Sequence, residues 1–311
     1  MNRAKAQSKG RPSGRDGFIV VAVLWMIGAL AVLASIYSAY VINTAAGFGP
    51  YEEHYRAEAL ATGAIELAAY QLSSAGDKRP LHGEFSFRLG RASVAASFRS
   101  EAERIDLNAA PKELITGLFS TLGAERDAAQ TYAGRIVAWR TKAEKGDDAD
   151  AAAYRTAGLK YAPRGGHFPH VDELSLVLGL PRPLVERALP FVTVYSGRAQ
   201  INILDAAPEV VAALPGLSAE RLNAVLTARR AAPGDGERLM ALLGSAQANA
   251  TTQGGQASRV LIHVTFDNGH RMSYEIVILV FDEGSQPYSV LSWRDESDAA
   301  SAGLSLRTAL R

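Results

Sequence analysis

The residues able to do chemistry are few and scattered. The chain holds six histidines and no cysteine. His54, His82, His263 and His270 stand apart from one another, and His167 and His170 straddle Pro169. A loop pair of that kind does not share a helix face as a zinc pair does. The lack of cysteine excludes disulfides, thiolate metal sites and thiol nucleophiles. It leaves the compartment open, because a domain of adequate size folds in an oxidising space without disulfides. No G-x-S-x-G, P-loop or dinucleotide fingerprint occurs, so the chain reads as a non-enzyme. Asp147, Asp148 and Asp150 read as a solvated loop. Asp282-Glu283 and Asp295-Glu296-Asp298 flank the C-terminal strands and offer the hard oxygen ligands that calcium takes, at a spacing unlike an EF-hand.

Phosphate binding is the other chemistry in view. The run L-P-G-L-S-A-E-R-L at 214–222 has the form of a helix–hairpin–helix. Amides at such a hairpin and at the following helix N-terminus can hold DNA phosphates. Arg221, Arg229 and Arg230 add positive charge, but Glu209 and Glu220 flank the hairpin, which has a single glycine, Gly216. The formal net charge of the whole chain is only +1. A nucleic-acid binder should show a basic patch, so a structural helical pair is preferred. A membrane-anchored DNA receptor of the competence type is the alternative.

The elements that carry these residues begin with the stretch 17–42, G-FIVVAVLWMIGALAVLASIYSAYVI, which has no charged side chain. At ~1.5 Å of rise per residue it exceeds the ~20 residues that span a bilayer core. Arg3, Lys5, Lys9, Arg11 and Arg15 precede it, opposed by Asp16. The positive-inside rule puts residues 1–16 in the cytoplasm and the rest outside. The run is too long for the apolar core of a signal peptide. Gly47-Phe48-Gly49-Pro50 predicts a kink or short break. Helical periodicity then resumes, with Ala57, Leu60, Ala61, Ala64, Ile65, Ala68 and Leu72 on one stripe.

Strand patterns follow at 84–89, 94–99 and 104–107. Then the chain turns helical over 105–245 and contains an internal duplication. I-D-L-N-A-A-P-K-E-L at 105–114 matches I-N-I-L-D-A-A-P-E-V-V at 201–211, each leading to a helix, a turn and a second helix ending in Arg. Asn108 and Asp205 are suited to cap the first helix of each copy, with Pro111 and Pro208 in its first turn. A looser helical pair covers 171–178 and 183–189, and a charged, Gly-rich loop lies near 142–168. A linker over 245–258 leads back to strands at 260–266, 272–281 and 288–293, the first two joined by Asp267-Asn268-Gly269, a hairpin signal. The tail 296–311 reads as flexible. Strands on both sides of the helical stretch can complete one sheet packed on the long helix. The expected class is α+β: a pilin-like long N-terminal helix on an antiparallel sheet, interrupted by an all-helical insert with a duplicated hairpin block.

Gly17-Phe18, between basic residues and the apolar run, resembles the cleavage site of type IV prepilin-like leaders. The resemblance implies that a prepilin peptidase cuts between Gly17 and Phe18, that Phe18 is N-methylated, and that the helix with Val20, Val21 and Leu24 becomes the assembly element. Where that family carries Glu, this chain has Ala22. A carboxylate in hydrocarbon is costly unless paired. A subunit without it cannot pair with the amine of a predecessor, yet offers its own amine to a successor. That departure, the duplicated Ala-Ala-Pro block, F-P-H-V-D-E-L at 168–174 and L-P-F-V-T-V-Y at 189–195 resemble the K minor pseudopilin family of type II protein secretion. Where that family usually has Asn in the second block, this chain has Asp205.

The resemblance implies a subunit at the tip of a periplasmic pseudopilus that initiates its assembly and supports export of folded proteins. Its implied partners are the I- and J-type minor subunits, the major pseudopilin, the prepilin peptidase and the inner-membrane assembly platform. It also implies a single inner-membrane pass with the C-terminal domain in the periplasm. Another type IV minor pilin is the nearer alternative. Some members bind calcium in the α+β domain, for which Asp282, Glu283, Asp295, Glu296 and Asp298 are the candidates. The expected divisions are a leader at 1–17, an assembly helix at 18–42, α+β segments at 43–104 and 246–295, the insert at 105–245 and the tail at 296–311.

Overall fold

The computed structural model describes residues 14–74, 79–143, 149–282 and 286–295. The chain divides into two compact units, Met1–Ala59 and Leu60–Arg311.

Helix α1 runs Gly14–Ser73. It passes through Pro50 as continuous helix, so of the kink or short break expected at Gly47-Phe48-Gly49-Pro50 the break is not made. A proline removes one backbone hydrogen bond and crowds the preceding turn; it does not by itself end a helix of this length. Within the first unit, Phe18–Val41 forms one helix long and apolar enough to cross a membrane, with none of it buried in the protein.

In the second unit, Leu60, Ala61, Ala64, Ile65, Ala68, Ala69 and Leu72 of α1 are buried. They recur at the three- and four-residue spacing of one helical face. The partner of that face is a five-stranded antiparallel sheet in the order β1-β2-β7-β8-β9. Its strands are β1 (His82–Leu89), β2 (Ala92–Ser100), β7 (Ala257–Phe266), β8 (Arg271–Val280) and β9 (Tyr288–Asp295). Burial alternates along β2 and β7, with Val94, Ala96, Phe98, Val260, Ile262 and Val264 on the covered face. This is the period of a half-buried strand. The Tyr288 hydroxyl of β9 donates to Glu66 of α1 at 2.8 Å, and the phenol's pKa is pushed up to about 12 by burial and by that carboxylate.

Between β2 and β7 the chain makes the helical domain. Its helices are α2 (Lys112–Thr121), α3 (Arg126–Arg140), α4 (Ala149–Thr156), α5 (Arg182–Ala188), α6 (Pro208–Ala212), α7 (Ala219–Ala231) and α8 (Gly236–Leu243). Short strands β3 (Ile105–Asp106), β4 (Val192–Thr193), β5 (Ile201–Asn202) and β6 (Ala250–Thr251) pair in parallel as β3–β4 and β5–β6. The buried residues from Ile105 to Ala250 form one hydrophobic cluster.

Two sequence expectations change here. The stretch near 142–168 is not only loop: α4 lies within it, and Tyr154 and Phe168 are buried against Trp139. Residues 245–258 are not a linker. Gly244–Asn249 is a 3-10 helix, β6 follows, and Ala246 and Ala250 are buried. Small residues that look like spacer in one dimension fit tight corners in three.

Candidate functional site

The helical domain is built twice on one hydrogen-bonding plan. In the first copy, Asp106 Oδ1 accepts from the Asn108 amide at 2.7 Å, and the Asp106 carbonyl accepts from Ala110 at 2.8 Å. In the second, Asn202 Oδ1 accepts from Leu204 at 2.9 Å, and the Asn202 carbonyl accepts from Ala206 at 3.0 Å. Both are side-chain turns of the kind Asx residues make at the mouth of a helix. Each copy then returns in parallel. Leu107 donates to the Thr193 carbonyl at 2.8 Å and Ile203 to the Thr251 carbonyl at 3.0 Å. The hydroxyls of Thr193 and Thr251 each cap the amide two residues on, Tyr195 and Gln253, both at 3.1 Å.

An arginine closes each copy. Arg140, at the end of α3, donates to the carbonyls of Leu107 at 2.5 Å and Ala110 at 2.7 Å. Arg229, in the last turn of α7, donates to those of Ile203 at 3.1 Å and Ala206 at 2.6 Å. Burial presses the pKa of both guanidiniums below the ordinary arginine value, offset by Asp106 for Arg140 and by Asp205 for Arg229. A planar five-donor group suits this double contact with backbone oxygens. The hairpins correspond too: Gly123 and Gly216 take positive φ, +90° and +76°.

The copies meet where α2 crosses α6. A Cβ added at Gly117 would lie 2.0 Å from the Ala213 carbonyl oxygen, so only glycine allows the approach.

The expected caps are not used as such. Asn108 does not cap α2, whose N-cap is Pro111. Its side-chain amide instead pairs with the backbone of Phe168, donating to the carbonyl at 3.0 Å and accepting from the N–H at 2.7 Å. Asp205 does not cap α6, whose N-cap is Ala207; it meets His82 Nδ1 at 3.0 Å. The residues whose side chains turn the chain ahead of each helix, Asp106 and Asn202, sit at the ends of β3 and β5. Their sequence signal is an Asx after each strand-starting isoleucine, less conspicuous than the A-A-P triplet downstream. The copies also differ at these turns. Asp106 Oδ2 also accepts from the Ser196 hydroxyl at 3.0 Å and the Gly197 amide at 2.7 Å. Asn202 Nδ2 is buried and, among the described residues, meets no partner.

A buried ionic cluster fixes the helical domain on the sheet. Glu101, 1% exposed, accepts from Arg259 Nε at 2.7 Å and Nη2 at 3.2 Å, and from the Thr193 hydroxyl. Arg259 Nη1 donates to Glu275 at 2.5 Å. Burial alone lowers the Arg259 pKa, but hydrogen bonding to Glu101 and the nearby carboxylates reverse this and leave it raised. Such a pair holds only because its remaining oxygens are also bonded.

The other residues singled out from the sequence are dispersed. Phe18, Val20, Val21, Ala22 and Leu24 are all exposed on α1; the side chain of residue 17 and residues 1–13 lie outside what the structure describes. Among the acidic residues, Asp282 follows β8 and pairs with Arg79 at 2.5 Å, while Asp295 ends β9. Val280 is opposite Tyr288, and Tyr274 is opposite Asp295. The two acids therefore stand at opposite ends of the hairpin, roughly 20 Å apart at ~3.3 Å per residue. One ion cannot bridge them. Glu283, Glu296 and Asp298 lie outside the described residues. Among the described residues no group of three or more His, Asp or Glu side chains converges. Of the arginines read as able to meet phosphate, Arg229 is committed to carbonyls, Arg221 caps α8 through the Leu243 carbonyl at 3.5 Å, and Arg230 is exposed.

A helix long and apolar enough to cross a membrane in the first unit, and in the second an antiparallel sheet covered by a helix, define a pilin-like α+β protein carrying a large helical domain. Residues 95–197 match the family model of the type II secretion system, protein K. Over those residues, from the end of β2 through the β3–β4 copy of the helical domain, the chain is similar to protein K of type II secretion. The fold is similar to that of a chain in the crystal structure of the GspK-GspI-GspJ complex from the enterotoxigenic Escherichia coli type 2 secretion system. The TM-score is 0.63 at 17% identity, over 78% of this chain and 97% of that one. No curated protein matches the chain significantly in sequence.

Proposed function

We propose that the chain stands at the tip of a periplasmic pseudopilus, initiates its assembly there, and supports export of folded proteins as a structural component without catalytic activity. The match of residues 95–197 to protein K carries the reading. Ala22 is what favours the tip. A subunit lacking the carboxylate has nothing to offer the amine of a subunit already in place, while its own Phe18 amine remains available to the next.

The leader ends at Gly17, and cleavage exposes Phe18 for N-methylation; the apolar span also starts at Phe18. Val20, Val21 and Leu24 then form part of the helix surface that packs against neighbouring subunits. The anchor lies in the inner membrane with residues 1–16 cytoplasmic and the sheet and helical domain periplasmic. Its partners are I- and J-type minor subunits, the major pseudopilin, the prepilin peptidase and the assembly platform. The solved complex that resembles it joins GspK to GspI and GspJ, which supports the first of these.

The test is the mature N-terminus. Mass spectrometry of the chain expressed with a prepilin peptidase should find N-methyl-Phe18, and Gly17→Leu should retain the leader. An unprocessed chain, or cleavage elsewhere, would sink the assignment. Pull-down of full-length chain with I- and J-type subunits then checks placement, and Ala22→Glu should fold normally yet lower the yield of filament starts.

A further inference from the structure

We propose that the helical domain is mounted on the sheet by one buried central pin and two titratable edge tethers of opposite sign, so that acidification moves its hold from the β9 edge to the β1 edge. The pin is the Arg259–Glu101–Thr193 cluster. Arg259 lies on β7, the middle strand of the sheet, while Thr193 belongs to β4 of the helical domain. No histidine takes part in it.

The tethers lie on the two outer strands. At the first, His82, the opening residue of β1, places Nδ1 3.0 Å from Asp205 Oδ2 of the second helical copy. Arg99 is the register partner of His82 on β2, and it reaches Glu103 at 3.6 Å. Glu103 and Arg229 are the other charges that feel Asp205. At the second, Arg294 Nη2 of β9 lies against the His170 ring, 2.7 Å from Nε2 and 3.2 Å from Nδ1, and donates to Asp172 Oδ2 at 3.0 Å, both residues being in the first helical copy. Glu275 faces Arg294 from β8 in register, and Glu173, paired with Arg164, feels the His170 charge.

The signs follow from the groups present. A protonated His82 is a cation against Asp205, so acid strengthens the β1 tether. His170 must be neutral at the nitrogen that accepts from Arg294. Protonation removes that acceptor and sets two cations against each other, so acid weakens the β9 tether. The attraction between protonated His170 and Asp172, 3.0 Å apart, lies wholly within the helical domain and does not hold the sheet.

Hydrogen exchange by mass spectrometry on the full-length chain in detergent, at about pH 7.5 and about pH 5.5 with intrinsic rates normalised, reads both tethers at once. Exposed pairs of this kind change protection about two- to fivefold. In acid, protection should fall by that factor around 170–173 and 290–295, and rise around 82–84 and 203–206. H170Q, whose amide oxygen can still accept from Arg294, should abolish only the first response, and H82Q only the second. Both side chains are partly exposed, so the variants should fold. Responses of the same sign at both edges, no response, or responses that persist in the H82Q/H170Q double variant would each overturn the proposal.

Discussion

Replacing Arg229 with methionine separates a structural clamp from a solvated basic face. Methionine keeps most of the length and apolar stem and removes the guanidinium. In the structure that group holds the carbonyls of Ile203 and Ala206 at 3.1 and 2.6 Å, and both of those residues are fully buried. A hydrogen bond from a charged donor contributes ~1.5–3 kcal/mol, and a stranded buried carbonyl costs ~1–3 kcal/mol. The guanidinium is itself partly exposed, so water can restore part of this. The expected loss is about 2–4 kcal/mol rather than the sum of the two upper limits. Arg230→Met, one residue on and exposed, should stay within ~0.5 kcal/mol of the parent. The assay is urea unfolding of the full chain in mild detergent, followed by Trp139 emission in a background where Trp25 and Trp293 are phenylalanine. Trp139 is buried in the same hydrophobic cluster as both copies. The midpoint should move down by about 1–2 M with an unchanged slope. A loss below ~0.5 kcal/mol, or an equal loss for Arg230→Met, would refute the clamp. If Arg229 instead served phosphate in solvent, its removal would spare stability and weaken salt-dependent DNA retention.

Two further outcomes follow from single contacts. Gly117→Ala puts a methyl group 2.0 Å from the Ala213 carbonyl oxygen. Because α2 or α6 must move to relieve it, the expected cost is about 1–3 kcal/mol or more by the same unfolding assay, against ~1 kcal/mol of gain if helix propensity alone decided. The hydrogen bond from Arg164, reinforced by that from Trp139, holds the Glu173 carboxyl below the usual glutamate range. A depressed folded-state pKa contributes stability that is present above the unfolded value and lost as pH falls through the folded one. Acid titration should therefore show a component of stability disappearing below about pH 4, accompanied by a change in Trp139 emission and absent in Glu173→Gln.

Much of this protein is legible without its fold because much of it is local. A run with no charge for longer than a bilayer is thick reads as a candidate membrane span, whatever follows it. Alternation over 84–89 and 260–266, and Asn-Gly between two such runs, specify strands and a hairpin through the backbone geometry of neighbouring residues. The repeated Ala-Ala-Pro blocks likewise announce two helical hairpins, and α2–α3 and α6–α7 are there. Local reasoning failed at 245–258, where small polar residues looked like spacer and instead form a 3-10 turn and a parallel strand pair. At Pro50 the break allowed for does not form, because the cost of one lost hydrogen bond does not stop a helix.

Tertiary structure alone decided the use of the polar side chains. Asn108 and Asp205 were suited by type to cap the helices beside them, yet their partners are Phe168 and His82, distant in sequence. The arginines at the ends of α3 and α7 could as well have faced water; only the return of each helix over its own entry turn brings their donors to buried carbonyls. Asp282 and Asp295 both flank the C-terminal strands in sequence, and strand pairing sets them at opposite ends of a hairpin. Glu101 and Arg259 meet across 158 residues. The physical reason is the same in each case. Backbone conformation responds to nearest neighbours, whereas a charge or an amide takes whichever partner the folded chain delivers, because burial without one is too costly.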